Sequence, residues 1–354
     1  MSKRIIALLL ALVMVFALCA CGKGGNGGNS AGNDDVGDET YTIRIACENS
    51  DSYPATLGLY QMEKYVESHT NGKVQIEVCA SGQLGGEEET LEQVAQGNLE
   101  MAVASFAPVV SYVPEFEVMD IPFVYNSYTE AWMVLDSYVG TNLLDKMEAQ
   151  GLKGMAYMEN GMRQVTSNVS AINSIADFKG VKLRTMQNNN HMESFSALGA
   201  NPTPVAFSEL YISLSQKVVD AQENPIANVT DKKLYEVQKY LSLTNHIYDA
   251  MPLVCNLKFF NSLPQAYQKV VQAGAIYAQE FSRFCNLERE DLILADLADK
   301  YGMQINEVSA DARAEMAKVA QPAVIKLVAK DIGQDAVDQY MQDVKDVLAQ
   351  ISKF

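Results

Sequence analysis

Histidine is nearly absent: His69, His191 and His246 are the three in 354 residues. None stands in an H-E-x-x-H or G-x-S-x-G setting, so the sequence offers neither a zinc-protease helix nor a nucleophile elbow. An exported hydrolase, the competing class, needs a nucleophile, a base and a stabiliser of developing charge. His69 falls at a predicted helix end and reads as surface, and His191, after three asparagines, reads as a helix cap. No catalytic set remains, and the chain is read as a non-enzyme. Basic residues are also scarce, with 27 lysines and arginines against 44 acidic residues and a formal net charge of −17. That balance excludes nucleic acid, whose phosphates need a basic footprint. An acidic protein still binds an anion when its few arginines converge on one cleft. Cysteine is sparse as well. Cys47, Cys79, Cys255 and Cys285 lack the CxxC or Cys/His spacing of a zinc site, so no metal is expected. Cys47 and Cys79 each end a predicted strand, which leaves a disulfide open beside the plainer reading of lone buried thiols. The glycine-rich turn Ser81-Gly-Gln-Leu-Gly-Gly lacks the Lys-Ser/Thr of a phosphate loop and leads into three glutamates, which repel an anion. It reads as a structural turn. No repeat of solenoid length occurs.

What is present begins with a leader. Lys3 and Arg4 precede an uncharged apolar run from Ile5 to Leu18, then Leu18-Cys-Ala-Cys-Gly. The run suits a secretory signal and is short for a membrane span. The Leu-x-Ala-Cys ending looks like a bacterial lipobox, which implies cleavage before Cys21 and lipid on its thiol. Residues 22–40, rich in Gly, Asn and Asp, form a flexible tether. Without Lys3 and Arg4 the mature chain keeps 25 basic residues against the same 44 acidic ones. An anionic membrane surface is therefore an unsuitable partner beyond the lipid anchor.

The body alternates strand and helix signals. Tyr41–Ala46 and Val74–Cys79 read as strands around a helix from Pro54 to His69, with Asn71-Gly72 as its stop. Glu87–Gln96 is an acidic helix and Leu99–Ala104 a third strand. The aromatic segment Pro114–Tyr125 reads as core rather than a sugar-stacking platform. Thr129–Gln150 is expected as one amphipathic helix and Met155–Met158 as a strand. Tyr235–Tyr240 reads as helical and Met251–Asn256 as extended. A helical pattern opening at Ser262-Leu-Pro runs to about Tyr301, longer than one domain accommodates, so it braces two. Met316–Ala329 and Asp335–Ile351 are C-terminal helices.

The stretch from Asn160 to Pro225 carries the function. It contains Asn-Gly-Met-Arg163-Gln-Val-Thr-Ser-Asn, then Lys-Gly-Val-Lys-Leu-Arg184, then Leu198-Gly-Ala-Asn-Pro-Thr-Pro-Val-Ala-Phe-Ser-Glu, and closes on Asp220-Ala-Gln-Glu-Asn-Pro. Strands separated by helices imply parallel pairing, with ligands beyond the carboxyl ends of the strands, where Arg184 and Asn224 fall. Two guanidiniums and an amide suit a carboxylate, which the planar fork of Arg pairs bidentately. These motifs resemble the substrate-binding proteins of TRAP transporters, the tripartite ATP-independent periplasmic carriers, of the DctP-like family. The resemblance covers essentially the whole mature chain.

The resemblance implies an α/β, two-domain periplasmic-binding-protein-like fold of type II, a Venus flytrap. Its chain crosses between domains near Asn160 and Tyr248. Domain I is then 41–160 plus 250–288, and domain II is 161–249 plus 289–354. The resemblance further implies an extracytoplasmic, lipid-anchored, monomeric protein without cofactor. It captures a small organic acid, such as a sugar acid or C4-dicarboxylate, and delivers it to the small and large TRAP membrane subunits. Arg184 matches the family arginine that pairs with the substrate carboxylate, Arg163 a second arginine and Asn224 an asparagine on the same carboxylate. Phe207 matches an aromatic packing on the ligand body, with plain core as the other reading. Gln187, His246 and Glu48 align with cleft-lining positions of some relatives. Ser105 stands where some relatives carry an acidic residue reaching a hydroxylated tail. Ser170-Ala171 and Ala221 also depart from the family pattern. An ABC-type or sensor-associated binding protein is the alternative within the binding class.

Overall fold

The computed structural model describes residues 39–350, so the leader, Cys21 and most of the tether lie outside the described residues. Tyr41–Ala46 (β1) buries Ile43 and Ile45 on its inner face and runs parallel to Val74–Cys79 (β2), with Ile43 opposite Ile76. Between them, Pro54–His69 (α1) starts on a proline in its first turn. It stops where Asn71 and Gly72 turn to positive φ, 51° and 73°. Glu87–Gln96 (α2) carries three glutamates at its positive end and closes on Gly97 in the left-handed conformation. Met101–Val103 (β3), Phe106–Val109 (α3) and a 3-10 segment Pro114–Asp120 follow.

The single helix expected over Thr129–Gln150 is instead Tyr128–Leu135 (α4) and Tyr138–Lys146 (α5). Ser137 splits them. Its hydroxyl accepts from the Val139 N–H at 3.1 Å and donates to the Val134 carbonyl at 2.7 Å, capping one helix and closing the other.

Leu152–Ser167 (β4) is one 16-residue strand where a short one was expected. The second half of the chain adds Lys182–Thr185 (β5), Asn189–Ala197 (α6), Asn201–Pro204 (β6), Leu210–Ser215 (α7), Ala221–Pro225 (β7) and Ile226–Asp231 (α8). The expected helix through Tyr235–Tyr240 is one 3-10 turn, because Lys233 adopts positive φ. The chain then extends as Tyr240–Leu243 (β8). Tyr248–Asn256 (β9), Leu257–Ser262 (α9) and Gln265–Asp299 (α10) return to the first half. Gln304–Glu307 (β10), Ala310–Ile332 (α11) and Gln334–Leu348 (α12) complete it.

The strand order is β2-β1-β3-β9-β4-β7-β5-β6, with β8 joining β4 to β10. β5 lies parallel to β6 and β7, as expected, but β4 is antiparallel to β7, β8 and β9. The reason is that β4 belongs to both sheets. Leu152–Met162 pairs with β9 and Arg163–Ser167 with β7 and β8. A bulge between Glu159 and Gly161, with Gly161 at φ 126°, marks the passage from one sheet to the next.

This is a two-domain α/β fold braced by α10, which is 35 residues and therefore about 50 Å long. Its Val271, Ala275 and Ala278 pack in one core with Leu59 and Met62, and its Leu297 in another with Leu210 and Leu241. A Cβ on Gly58 of α1 would stand 2.5 Å from the Ala278 carbonyl oxygen, so this helix pair approaches closer than any side chain permits. The C-terminal helices contribute to two cores. Met316 and Ala320 of α11 pack in the core around Leu183, but Val324, Val328 and Tyr340 pack in another with Phe116 and Tyr248. The four cysteines of the described residues are buried, unbridged thiols. Cys47 turns inward against Thr56, away from Cys79.

Candidate ligand-binding site

Between the two sheets lies a cavity of about 260 Å³. The first domain supplies Glu48 and Asn49 from the end of β1, Glu87–Glu89 from the start of α2, and Ser105 and Pro108 beyond β3. The crossing strands add Asn160 and Met251. The second domain supplies Arg184, Met186 and Gln187 from the end of β5, Ala206–Ser208 from the loop after β6, Asn224 from β7 and Asn228 from α8. Six of the eight expected residues thus meet here: Arg184, Asn224, Phe207, Gln187, Glu48 and Ser105. Arg163 and His246 do not.

Arg184 is 1 % exposed. Its Nε donates to the Val205 carbonyl at 2.8 Å, while its Nη1 is buried without a hydrogen-bond partner. Among the described residues no carboxylate lies within ion-pairing distance of it. Burial, reinforced by the nearby Arg163 and opposed by Glu223, pulls its pKa down to about 10, so it stays charged at neutral pH. A buried cation with an unpaired donor, on the wall of a cavity, is an unsatisfied group.

Arg163 looks equivalent in sequence and is opposite in circumstance. Its Nε and Nη2 reach both Glu223 carboxylate oxygens, at 2.5 and 2.9 Å, and Nη1 reaches Asp249 at 2.7 Å. Burial works against this charge, but the two carboxylates outweigh it and hold the guanidinium above its ordinary value. The fork is already filled. Its one link towards the cavity is Nη2 to the Asn224 Oδ1, 3.2 Å. His246 sits in the same sealed cluster, between Thr244 at 2.8 Å and Glu223 at 3.0 Å, and burial keeps it neutral. His191 is no helix cap, a role taken by the Asn188 side chain. Burial disfavours its charge, yet Asp120 at 3.2 Å and Glu223 push its pKa up to about 9.

A relay of amides connects this cluster to the cavity. Asn160 donates to Asp249 at 2.8 Å and accepts from Asn228 at 3.1 Å. Asn228 also donates to Asn224 at 3.2 Å and accepts from Asn49 at 3.0 Å. Gln187 and Glu88 meet across the mouth at 3.2 Å. Lys232 holds its ammonium 4.4 Å over the Phe207 ring.

Asn49, Glu87, Asn160, Asn228 and Met251 line the cavity without having been singled out. The glutamates after Gly86, expected to repel an anion behind a structural turn, line one wall. Glu87 Oε1 accepts from both the N–H and the hydroxyl of Ser105, each at 3.0 Å. Burial and the neighbouring Glu48 push Glu87 up to about 8, and burial likewise raises Glu48.

The model of the DctP family, described as bacterial extracellular solute-binding protein, family 7, matches residues 45–331. The chain belongs to this family. It is a DctP-like solute-binding protein of the TRAP type. The C4-dicarboxylate-binding periplasmic protein DctP of Rhodobacter capsulatus is 31 % identical over 302 residues, 84 % of this DctP-like chain and 90 % of that protein. The sugar acid binding protein of Advenella mimigardefordensis, solved with galactonate, superposes at a TM-score of 0.83 with 32 % identity. That match covers 87 % of this chain and 99 % of the other. A TRAP solute-binding protein of Sulfurospirillum deleyianum with bound succinate gives 0.80 and 31 %, over 85 % and 98 %.

Proposed function

We infer that this DctP-like protein captures a small organic acid between its two domains, with Arg184 as the anchor of the carboxylate. The observation that carries the reading is the buried Arg184 guanidinium on the cavity wall, with its Nη1 lacking a hydrogen-bond partner. Asn224 stands beside it, Phe207 and Gln187 close the second-domain wall, and Glu48 and Ser105 face them from the first. The second domain receives the acid first, and closure adds the first-domain contacts. A ligand shifts that equilibrium only by its greater affinity for the closed form. The closed surface is what the TRAP membrane subunits recognise, and neither ATP nor catalysis is involved. Relatives that bind galactonate, succinate and C4-dicarboxylates support a carboxylate ligand. The Leu-x-Ala-Cys motif supports an extracytoplasmic lipoprotein held by acyl chains on Cys21, with residues 22–40 as its tether.

Titration calorimetry of Arg184→Ala with a bound organic acid tests the anchor. The variant leaves a desolvated carboxylate unpaired, which costs about 2–5 kcal/mol, or roughly 30-fold to several thousand-fold in affinity. Arg184→Lys also loses affinity, because a point charge does not replace the fork. Binding of Arg184→Ala within threefold of wild type refutes the assignment.

A further inference from the structure

Asn49, Asn224 and Asn228 line the cavity, and their hydrogen bonds fix which way each amide faces. The order starts at Arg163, whose guanidinium only donates. Its Nη2 lies 3.2 Å from the Asn224 side chain, so the Asn224 oxygen faces it. The Asn224 Nδ2 then donates one hydrogen to the Gln222 Oε1 at 2.7 Å, and the other has no partner among the described residues. Asn228 meets the same Asn224 oxygen at 3.2 Å, so it too presents Nδ2, whose second hydrogen goes to Asn160 at 3.1 Å. The Asn228 oxygen is thereby turned the opposite way. There it accepts from the Asn49 Nδ2 at 3.0 Å. All three asparagines are buried.

These amides belong to different parts of the molecule. Asn49 follows β1, and the Ser81 N–H holds its carbonyl to the first domain at 2.7 Å. Asn228 lies on α8, which packs into the second-domain core through Ile226 and Val229 and directly follows the strand that carries Asn224. The Asn49–Asn228 bond therefore runs from one domain to the other. It has a companion at the far end of α8, where the Ser50 N–H reaches Asp231 at 3.4 Å and the Ser50 hydroxyl donates to the same carboxylate. Once Asn49 is withdrawn, the Asn228 oxygen is buried without a donor and the amide is free to turn over. Turned over, it sets its oxygen against the Asn224 oxygen, and two acceptors repel.

We propose that Asn228 is a positioning residue for ligand capture: when the domains close, Asn49 fixes its amide, and Asn228 in turn fixes Asn224 with an N–H directed at the carboxylate of the acid. The proposal rests on the reading of Arg184 and Asn224 as carboxylate partners. It adds the route by which closure of the first domain tightens a contact made by the second. Arg163 serves the same end from behind, as the donor from which the order of the amides begins.

Calorimetry and stopped-flow fluorescence on the mature protein test it, with galactonate, glucuronate and succinate as probes and the tightest binder carried through. Asn49→Ala raises the dissociation rate roughly threefold to tenfold and leaves the association rate within about twofold, because its bond forms after the ligand has entered. Asn228→Ala lowers affinity by at least as much. In an Asn224→Ala background, Asn228→Ala changes affinity by less than about twofold, since its effect runs through the amide already removed. A merely structural Asn228 costs the same in both backgrounds, and that additivity overturns the proposal. An unchanged dissociation rate in Asn49→Ala overturns it too, and decides alone if thermal melts show Asn228→Ala unfolded. Failure of the carboxylate reading looks different: Arg184→Ala then binds the probe within threefold of wild type, or no probe binds wild type at all, and the proposal falls with it.

Discussion

Arg163→Met separates the two arginines that sequence motifs present as a pair. In the wild type the Arg163 guanidinium spends its donors on Glu223 and Asp249, both buried. Methionine fills much of the same volume without charge. Glu223 then keeps only the histidines, and Asp249 keeps Asn160 at 2.8 Å. Breaking a buried pair by removing one partner costs about 3–5 kcal/mol, because a charge is left uncompensated. That corresponds to a fall of roughly 5–15 °C in Tm for a chain of this size. The deficit depends on pH in a defined direction. Burial alone would raise Glu223, but Arg163, His191 and His246 hold it well below the usual carboxylate range. A depressed carboxylate contributes stability above its unfolded pKa, about 4.3, and loses it as pH falls through the folded value. The gap between wild type and variant is therefore widest near neutrality and narrows below about pH 4. Urea titrations at pH 7, 5 and 3.5, paired with calorimetry, read both quantities. The expected result is a large stability loss with ligand affinity reduced only as far as Asn224 shifts. Affinity abolished with stability unchanged refutes this account and makes Arg163 a direct ligand group.

Three further outcomes follow from the same structure. Because His191 is raised from 6.5 to about 9, its contribution is complete below about pH 6.5 and is lost as pH climbs through 9. Chemical denaturation of His191→Gln should thus show a flatter profile from pH 6.5 to 9 than wild type, and parallel profiles would refute the charged histidine. Cys21→Ala should move from the membrane pellet to the soluble fraction on cell fractionation, since one acyl chain holds marginally and two hold stably; retention in the pellet counts against the lipobox. Small-angle scattering should give a smaller radius of gyration at saturating ligand. An unchanged radius, with binding established separately, replaces the flytrap by a rigid pocket.

Much of the architecture is legible wherever local signals punctuate it. The bounds of β1, α1, β2 and α2 follow from alternation, Pro54, Asn71-Gly72 and Gly97. The β8–β10 pair escapes because each strand is four residues long and finds its partner far along the chain. Ser137 hides a helix break inside a continuous amphipathic pattern. At the site, Arg184, Asn224 and Phe207 are legible through motifs. What no motif reveals is that Glu223 and Asp249, 60 and 86 residues beyond Arg163, neutralise one arginine and leave the other bare. Glu87 escapes for a related reason. A glutamate at a helix start is sufficiently explained by the helix dipole, and only the fold turns it towards the cavity.

The strand shared by the two sheets governs the order in which this protein can be completed. In the first sheet β9 lies between β3 and β4, yet β3 ends at Val103 and β9 begins at Tyr248. While the chain emerges, β3 therefore has an unpaired edge until strands β5 to β8 of the second sheet have followed it. Val324 and Tyr340, which seal the first core, arrive later still. The N-terminal domain is thus the first to be synthesised and among the last to close. Contacts of such long sequence separation make for slow folding. A chain threaded through a membrane amino end first reaches the far side with its earliest sheet still open, and the core beneath that sheet is sealed only when the last helices have followed.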